Sequence, residues 1–579
     1  MNFTFGTSLF ATLLGYIVLA FSYLGLGWAG TRFLKMRFSG PEKWFNFIWL
    51  GWAFSLVLLQ IVQLFIPITW LVSLPVLLVG SVLGVMCVKA EFQKIDGILA
   101  WLVFVLFLGI SAIWLAGRSM FQPAHYDSGL YHFNSIRWLN EYPVVLGLGN
   151  FHGRLAFNQS FFVYVAYLNF YPLFNHGYNL ANSFLILIAF SESLFSIFKY
   201  IKRGSSSNFL SGSGVLIWFV PWMVYLSVFS PISSPSPDYA SSILQLLLFT
   251  HFARFIADAE ISPRADNSQL LFIFIIAATT ITIKLSNVFF VLTICLIIWL
   301  IQLKPWKIPA KQTILATAGL LVVPALIITT WSFRGILASG CPAYPSTIGC
   351  INVKWSVPLE KVKRDADLVY SWARQPKQPP EKVLGSWDWV KPWMDRQLSN
   401  KIAVIYPVAI TIINLTICLL LYIFLFESRG IDKKNFLIPL PAFVGLIAWF
   451  FTAPDVRFSH AIFWILPVST LFVLLKMAAG KRTIPLAIVL ILFFIVNANT
   501  LQPLINHGKE FLKINRAGYQ VITTSDLKRK ETLSGLQVWT PVKGDQCWDS
   551  PLPCTPYFNP GLTFQDRRLF PEFRIDTSK

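Results

Sequence analysis

Trp114-Leu115-Ala116-Gly117-Arg118 closes an apolar run, and His125-Tyr126-Asp127-Ser128-Gly129-Leu130-Tyr131-His132 follows it. The run, near 98–116, is long and apolar enough to cross a bilayer, which takes about 20 such residues. The second stretch is polar, aromatic and ionisable. Such a junction places ionisable side chains at a membrane surface. It also decides the class of the chain, because runs like 98–116 recur from end to end. The 579 residues are 55% hydrophobic and 13% charged, with mean hydropathy +0.61. Soluble domains carry about 25% charged residues. A membrane β-barrel would instead show short alternating segments. The expected fold is all-α, a polytopic transmembrane helical bundle.

Apolar runs near 8–30, 44–65, 68–88, 98–116, 177–198, 210–230, 240–256, 268–284, 287–303, 312–331, 402–426, 436–452, 460–475 and 483–500 give about 14 spans. Lys and Arg gather in alternate loops: Arg32, Lys35, Arg37 and Lys43; Lys199, Lys202 and Arg203; Lys304, Lys307 and Lys311; Lys476, Lys481 and Arg482. That is the positive-inside pattern, and it absorbs much of the net charge of +20 without a nucleic-acid partner. Met1 to Thr7 holds no Lys or Arg, so the first run reads as a retained helix and not a signal peptide. Both termini then lie outside, as do the loops 117–176 and 332–400. The transmembrane region is 1–500 and a small extracytoplasmic tail is 501–579. Within the first loop, the aromatic, Pro-broken Phe161 to Phe174 reads as an interfacial segment. No internal repeat is evident.

Cys341 and Cys350 share one outer segment, Cys547 and Cys554 another. Close pairs in an oxidising compartment suggest disulfides, and neither pair has the two-residue gap of a zinc knuckle. Cys87, Cys295 and Cys418 lie in or at the ends of apolar runs and read as packing residues.

The same outer face collects ionisable residues beside span ends: His125, Asp127, His132, Arg137, Glu141, Arg154, Asp238, Lys284, Arg334, Asp455 and Arg457. Such groups are costly there unless paired or functional. Asp127 opens a potential amphipathic helix, 128–141, with Leu130, Ile136 and Leu139 on one side and Asn134, Arg137 and Glu141 on the other. Its ordinary role would be a helix cap. Its chemical role would be a general base, with a pKa raised at a partly dry, aromatic surface. His125, Tyr126 and His132 flank it, His132 reading as a simple interfacial residue. Asp238, after Ser233-Ser234-Pro235-Ser236-Pro237, has the same choice between helix cap and a second acid that positions an acceptor or a metal. Lys284, Arg334 and Arg457 suit a phosphate, since Arg offers a planar fork and Lys a point charge. Alternatively, Arg457 pairs with Asp455 and Lys284 snorkels to headgroups. Arg334 to Ser346 reads as an ordered loop in which Tyr344 lines a lipid or sugar site, or as a disulfide-stapled structural loop. No residue set marks a metal site, and no Walker loop, GxSxG elbow, HExxH or EF-hand is present.

His125 to His132, Glu141-Tyr142-Pro143, Gly147-Leu148-Gly149-Asn150, His152-Gly153-Arg154 and Phe157-Asn158 together resemble a bacterial family of uncharacterised polytopic membrane proteins. Ser233 to Asp238, Ser339-Gly340 to Tyr344-Pro345, Ala453 to Phe458, and Asp545 to Trp548 through Pro553 to Pro556 fit the same family. The layout is similar to the GT-C glycosyltransferases, which use polyprenyl-phosphate sugars. In that superfamily a carboxylate in an early extracytoplasmic loop is the catalytic base, which the resemblance implies for Asp127. Cations at outer span ends hold the lipid phosphate, which implies, more loosely, Arg457, Arg334 and Lys284. The GT-C loop usually follows the first span, whereas here about three spans precede the one before Asp127, and no Asp or Glu adjoins it.

The expected function is therefore an integral-membrane glycosyltransferase of the bacterial cytoplasmic membrane, acting on its extracytoplasmic side. Its partners would be membrane lipids, a polyprenyl-phosphate-linked sugar and a glycan, lipid or protein acceptor. No cofactor is demanded, and a divalent metal stays open. The candidate set is Asp127 as base, with His125, Tyr126, His132, Arg154, Asp238, Lys284, Arg334, Tyr344 and Arg457 on substrate. The alternatives are a transporter or flippase of lipid-linked glycans, or a non-catalytic assembly protein. A transporter would show ionisable residues near span centres, and few are evident.

Overall fold

A computed structural model describes residues 4–91, 98–203, 232–258, 267–303, 310–429, 433–459, 461–479, 509, 513–567 and 570–575. The expected spans at 210–230 and 483–500 fall outside these residues. Among the described residues, ten helices are long and apolar enough to cross a membrane. They include Phe5–Phe33, Lys43–Gln63, Trp70–Glu91, Pro237–Ala257 and Ile314–Ser339. Asn267–Ile283 and Ile462–Leu474 are shorter apolar helices. Many carry exposed apolar side chains, such as Phe10, Leu78, Phe107, Ile314 and Ile423. A helix with a bare apolar face needs lipid or a partner to cover it. The molecule is mostly helical, consistent with a polytopic bundle.

At one end a side-chain network ties the bundle together: Lys43 Nζ lies 2.6 Å from Glu91 Oε2, and the Arg37 amide donates to Ser268 Oγ. At the other end the helices meet a loop layer. There Gln63 Nε2 donates to the Tyr142 carbonyl, the Trp70 amide to Tyr171, and the Gly147 amide to Leu337. Small residues let the first helices approach backbone to backbone. A Cβ on Gly27 would sit 1.8 Å from the Phe47 carbonyl oxygen, and one on Gly51 1.8 Å from that of Tyr23.

The layer is built from 120–177, 340–405 and 513–575, and it differs from the sequence expectation in four places. First, within the stretch expected to be interfacial, Ser160–Leu168 is a helix with all nine residues buried in protein. Its aromatic residues pack all round, with Tyr164 edge-on to Trp52 at 5.8 Å. Second, the helix Ala310–Ser339 continues through Arg334, which the sequence reading placed in a loop. Between Trp331 and Ser339 only Gly335 weakens a helix and no proline interrupts it, and the stop comes at Gly340, whose φ of +83° suits glycine. Third, Asn134 turns inward and is 1% exposed. Fourth, the described residues of the tail carry strands. They form two antiparallel hairpins, Leu527–Glu531 with Gln537–Pro541 and Leu562–Gln565 with Glu572–Ile575.

The tail docks on the first loop. Leu146 bridges to Glu572, the Phe573 ring stacks on Phe151 at 4.9 Å, and the Trp548 amide donates to the Gly129 carbonyl at 2.8 Å. Cys341–Cys350 and Cys547–Cys554 are both disulfides. The segment between 340 and 405 carries helices Leu359–Arg374, Pro380–Val383 and Val390–Ser399.

Candidate active site

The chain enters the site through the His125–His132 motif. Asp127 already has helical dihedrals, φ −66° and ψ −18°, and its side chain makes no capping bond. The capping role is therefore not the one it fills. The next turn, Ser128–His132, is a π-helix, which widens the backbone before the regular helix Phe133–Glu141 begins. Such turns recur at functional sites. Gly129 is required by contact, since a Cβ there would lie 2.5 Å from the Trp548 indole.

Freed from capping, the Asp127 carboxylate accepts a hydrogen bond from Arg457 Nη1 at 2.8 Å. Arg457 Nε lies 3.9 Å from Asp238 Oδ2, and Lys284 Nζ donates to Asp238 Oδ1. Two carboxylates and two cations from four separate parts of the chain thus form one quartet. Both cations also sit over the Phe458 ring, Lys284 at 4.7 Å and Arg457 at 4.9 Å. The ordinary alternatives fare poorly. Asp455 takes the Arg457 backbone amide, while the guanidinium goes to Asp127. Lys284 is engaged with Asp238, its side chain only 14% exposed. Asp238 lies in the first turn of its helix and directs its carboxylate to the cations.

The Ser/Pro run positions this arrangement. Ser234 Oγ accepts the amides of Ala124 and His125, and Asn182 Nδ2 donates to the carbonyls of Ser234 and Ser236. The run therefore clamps the entry of the Asp127 turn to the start of the Asp238 helix.

Burial alone would raise the Asp127 carboxyl, as the sequence suggested. The Arg457 guanidinium, helped by His132, His125 and Arg154, more than reverses this and holds it below the usual carboxylate range. Burial pushes His132 down to about 3, so it is neutral in the core, 1% exposed and 3.3 Å from Ser128 Oγ through Nδ1. His125 stacks on it at 5.8 Å and is also lowered by burial, against the pull of Asp238 and Asp127. Tyr126 is exposed and donates to Asp545 of the tail, a bond that raises the phenol to about 12.

Arg334 and Arg154 stand apart from the quartet's bonds. Both line a cavity of about 50 Å³ with Gln63, Gln159 and Trp138. Arg154 stays within electrostatic reach of Asp127. Tyr344 donates to Asp365 and packs on Phe157 at 6.2 Å, in the cluster around Cys341. Among the described residues, no three His, Cys, Asp or Glu side chains gather as a metal-holding group.

This chain belongs to the DUF8201 family, a domain of unknown function. The family model matches residues 9–464. No curated protein and no solved structure matches. The DUF8201 match contains the whole quartet and both cavity arginines, and ends before the tail.

A buried ionisable pair in this DUF8201 chain, Glu192 with His251, is not among the expected site residues. Glu192 accepts from Trp49 Nε1 at 2.9 Å and lies 3.5 Å from His251 Nε2, and Gln269 Nε2 is 2.7 Å from His251 Nδ1. The pair sits within two apolar helices. Its signal was present, since Glu192, His251 and Arg254 interrupt apolar runs, the last two three residues apart on one helix face.

Proposed function

We propose that the protein is an integral-membrane glycosyltransferase. It moves a sugar from a polyprenyl phosphate to an acceptor hydroxyl, with Asp127 as general base. The observation that carries this reading is the meeting of Asp127, Asp238, Lys284 and Arg457 at one end of the bundle. A carboxylate tied to a guanidinium is a weak base at rest. An anionic leaving group that shares Arg457 loosens that tie and returns basicity to Asp127 when the donor is in place. The same cation then stabilises the negative charge that grows on the departing phosphate. The quartet lies at helix ends, where a polyprenyl chain can stay among the helices while its headgroup reaches the loop layer. The loop layer with its two disulfides fits the extracytoplasmic side of a bacterial cytoplasmic membrane, and the Lys/Arg-rich loops fit the other.

The test is transfer of a labelled sugar from polyprenyl phosphate by membranes containing the protein. Asp127→Asn abolishes transfer at unchanged protein level; normal transfer by the folded variant sinks the base assignment. The buried Glu192–His251 pair favours a second reading, a transporter or flippase of lipid-linked glycans. Movement of labelled glycolipid across proteoliposomes without covalent change, lost in Glu192→Gln, would select it.

A further inference from the structure

We propose that the cavity between Arg154 and Arg334 is a binding site for a phosphate group, separate from the Asp127 quartet. Two guanidinium groups line it, and no carboxylate is among the lining residues. Arg334 is 6% exposed; its Nη2 donates to Gln63 Oε1 at 2.9 Å, but its Nε has no partner. Arg154 Nη1 is likewise buried without a partner. A buried guanidinium N–H without an acceptor is strongly unfavourable, and although Arg154 also bonds Tyr557, two such N–H groups beside one cavity call for an acceptor there.

The shape agrees. A water needs roughly 10–15 Å³ of such space, so about 50 Å³ holds a few waters or one compact oxyanion. Phosphate fits best by chemistry. Its tetrahedral oxygens can accept from two arginine forks approaching from different elements, one from the Ala310–Ser339 helix and one from the Gly153–Phe157 turn. Gln159 Oε1, also buried without a partner, can accept from a phosphate hydroxyl. The remaining wall, including Trp138, Val145 and Phe162, suits the carbon side of an ester. The source is therefore a free phosphate or the headgroup of a phosphate monoester lipid. The proposal does not depend on sugar transfer.

The test uses the full chain in nanodiscs, first titrated with labelled inorganic phosphate in phosphatidylcholine, then compared in discs with and without phosphatidic acid by thermal unfolding. Binding of phosphate identifies a free-anion site; stabilisation by phosphatidic acid alone identifies a lipid headgroup. In either arm Arg334→Gln and Arg154→Gln each weaken the effect at least tenfold, while Asp127→Asn leaves it within twofold. If Arg334→Gln fails to fold, Arg154→Gln decides. The proposal is overturned if neither probe acts on the protein, if both arginine variants respond like the wild type, or if only Asp127→Asn abolishes the effect.

Discussion

The quartet and the arginine cavity share one loop layer but treat charge in opposite ways. In the quartet every charged group has an opposite neighbour: Asp127 with Arg457, Asp238 with Lys284 and, more distantly, Arg457. In the cavity two guanidinium groups face one another's field with no acid among the lining residues. At an effective dielectric of about 20, a unit pair 4 Å apart attracts by roughly 4 kcal/mol before desolvation is subtracted. A ligand entering the quartet must compete with that attraction. One entering the cavity meets no carboxylate on its wall, only the more distant pull of Asp127 on Arg154. The quartet is thus a place where a bound group changes the protonation of its neighbours, and the cavity a place where it is simply held.

The largest test of this contrast is chemical. Removing the base with Asp127→Asn is expected to lower transfer by roughly 10²–10⁴, measured as labelled product against time. Asp127→Glu keeps the group but displaces it, and should recover part of the rate. If Asp127→Asn and Asp238→Asn lower the rate equally, the two acids act as a unit and the base cannot be assigned to one of them.

Stability gives the next contrast. Arg457→Met strands the Asp127 carboxylate, 16% exposed, and removes a contact of Asp238. The loss is expected at about 1–3 kcal/mol, below the figure for a fully buried pair because Arg457 is 36% exposed. Chemical denaturation of wild type, Arg457→Met, Asp127→Asn and the double variant measures the coupling. Strictly additive losses would mean that the ion pair contributes nothing.

Acid separates the groups within the quartet's own turn. His132 has a folded pKa of about 3, below its ordinary 6.5, so the unfolded chain takes up the proton first. Its stabilising contribution is full above 6.5 and is lost as pH falls from there towards about 3. Asp127, also lowered, contributes fully above its unfolded pKa and loses that contribution only as pH falls through its lower folded value. Thermal stability should therefore begin to fall near pH 6.5. His132→Gln should make that first limb shallower without removing it, because burial also pushes His152 down to about 3, and Asp127→Asn should change only the more acidic one.

The helices were legible because apolar length and alternating Lys/Arg loops are local signals. Each expected span that falls on described residues coincides with a helix. The disulfides were legible from the close spacing of each Cys pair. The quartet was only half legible. Asp127 and Arg457 stand 330 residues apart, and no local pattern says that they touch. Locally, Asp127 looks like a cap, and only the π turn and the clamp from Ser234 aim it elsewhere. Arg334 was misplaced because the apolar count falls at Trp331 while the helix, meeting no proline, runs on to Ser339. That shift moves its guanidinium from a loop into a cavity wall. The tail's hairpins were missed because their strands are only four or five residues long and rest on the loop layer for burial.

The smallest effect is the most discriminating. Arg334→Met in phosphate-free buffer should change stability by no more than about 1 kcal/mol, in the stabilising direction, since an apolar side chain replaces a buried charge of similar reach. The opposing loss is one hydrogen bond, because Gln63 Oε1 gives up its partner while Gln63 Nε2 keeps the Tyr142 carbonyl. The same chemical change at Arg457 is clearly destabilising, so the two Arg→Met substitutions differ in outcome because only one breaks an existing pair. A loss at Arg334 as large as at Arg457 would show that the cavity arginine already serves the resting fold, and the distinction between a balanced site and a waiting one would fail.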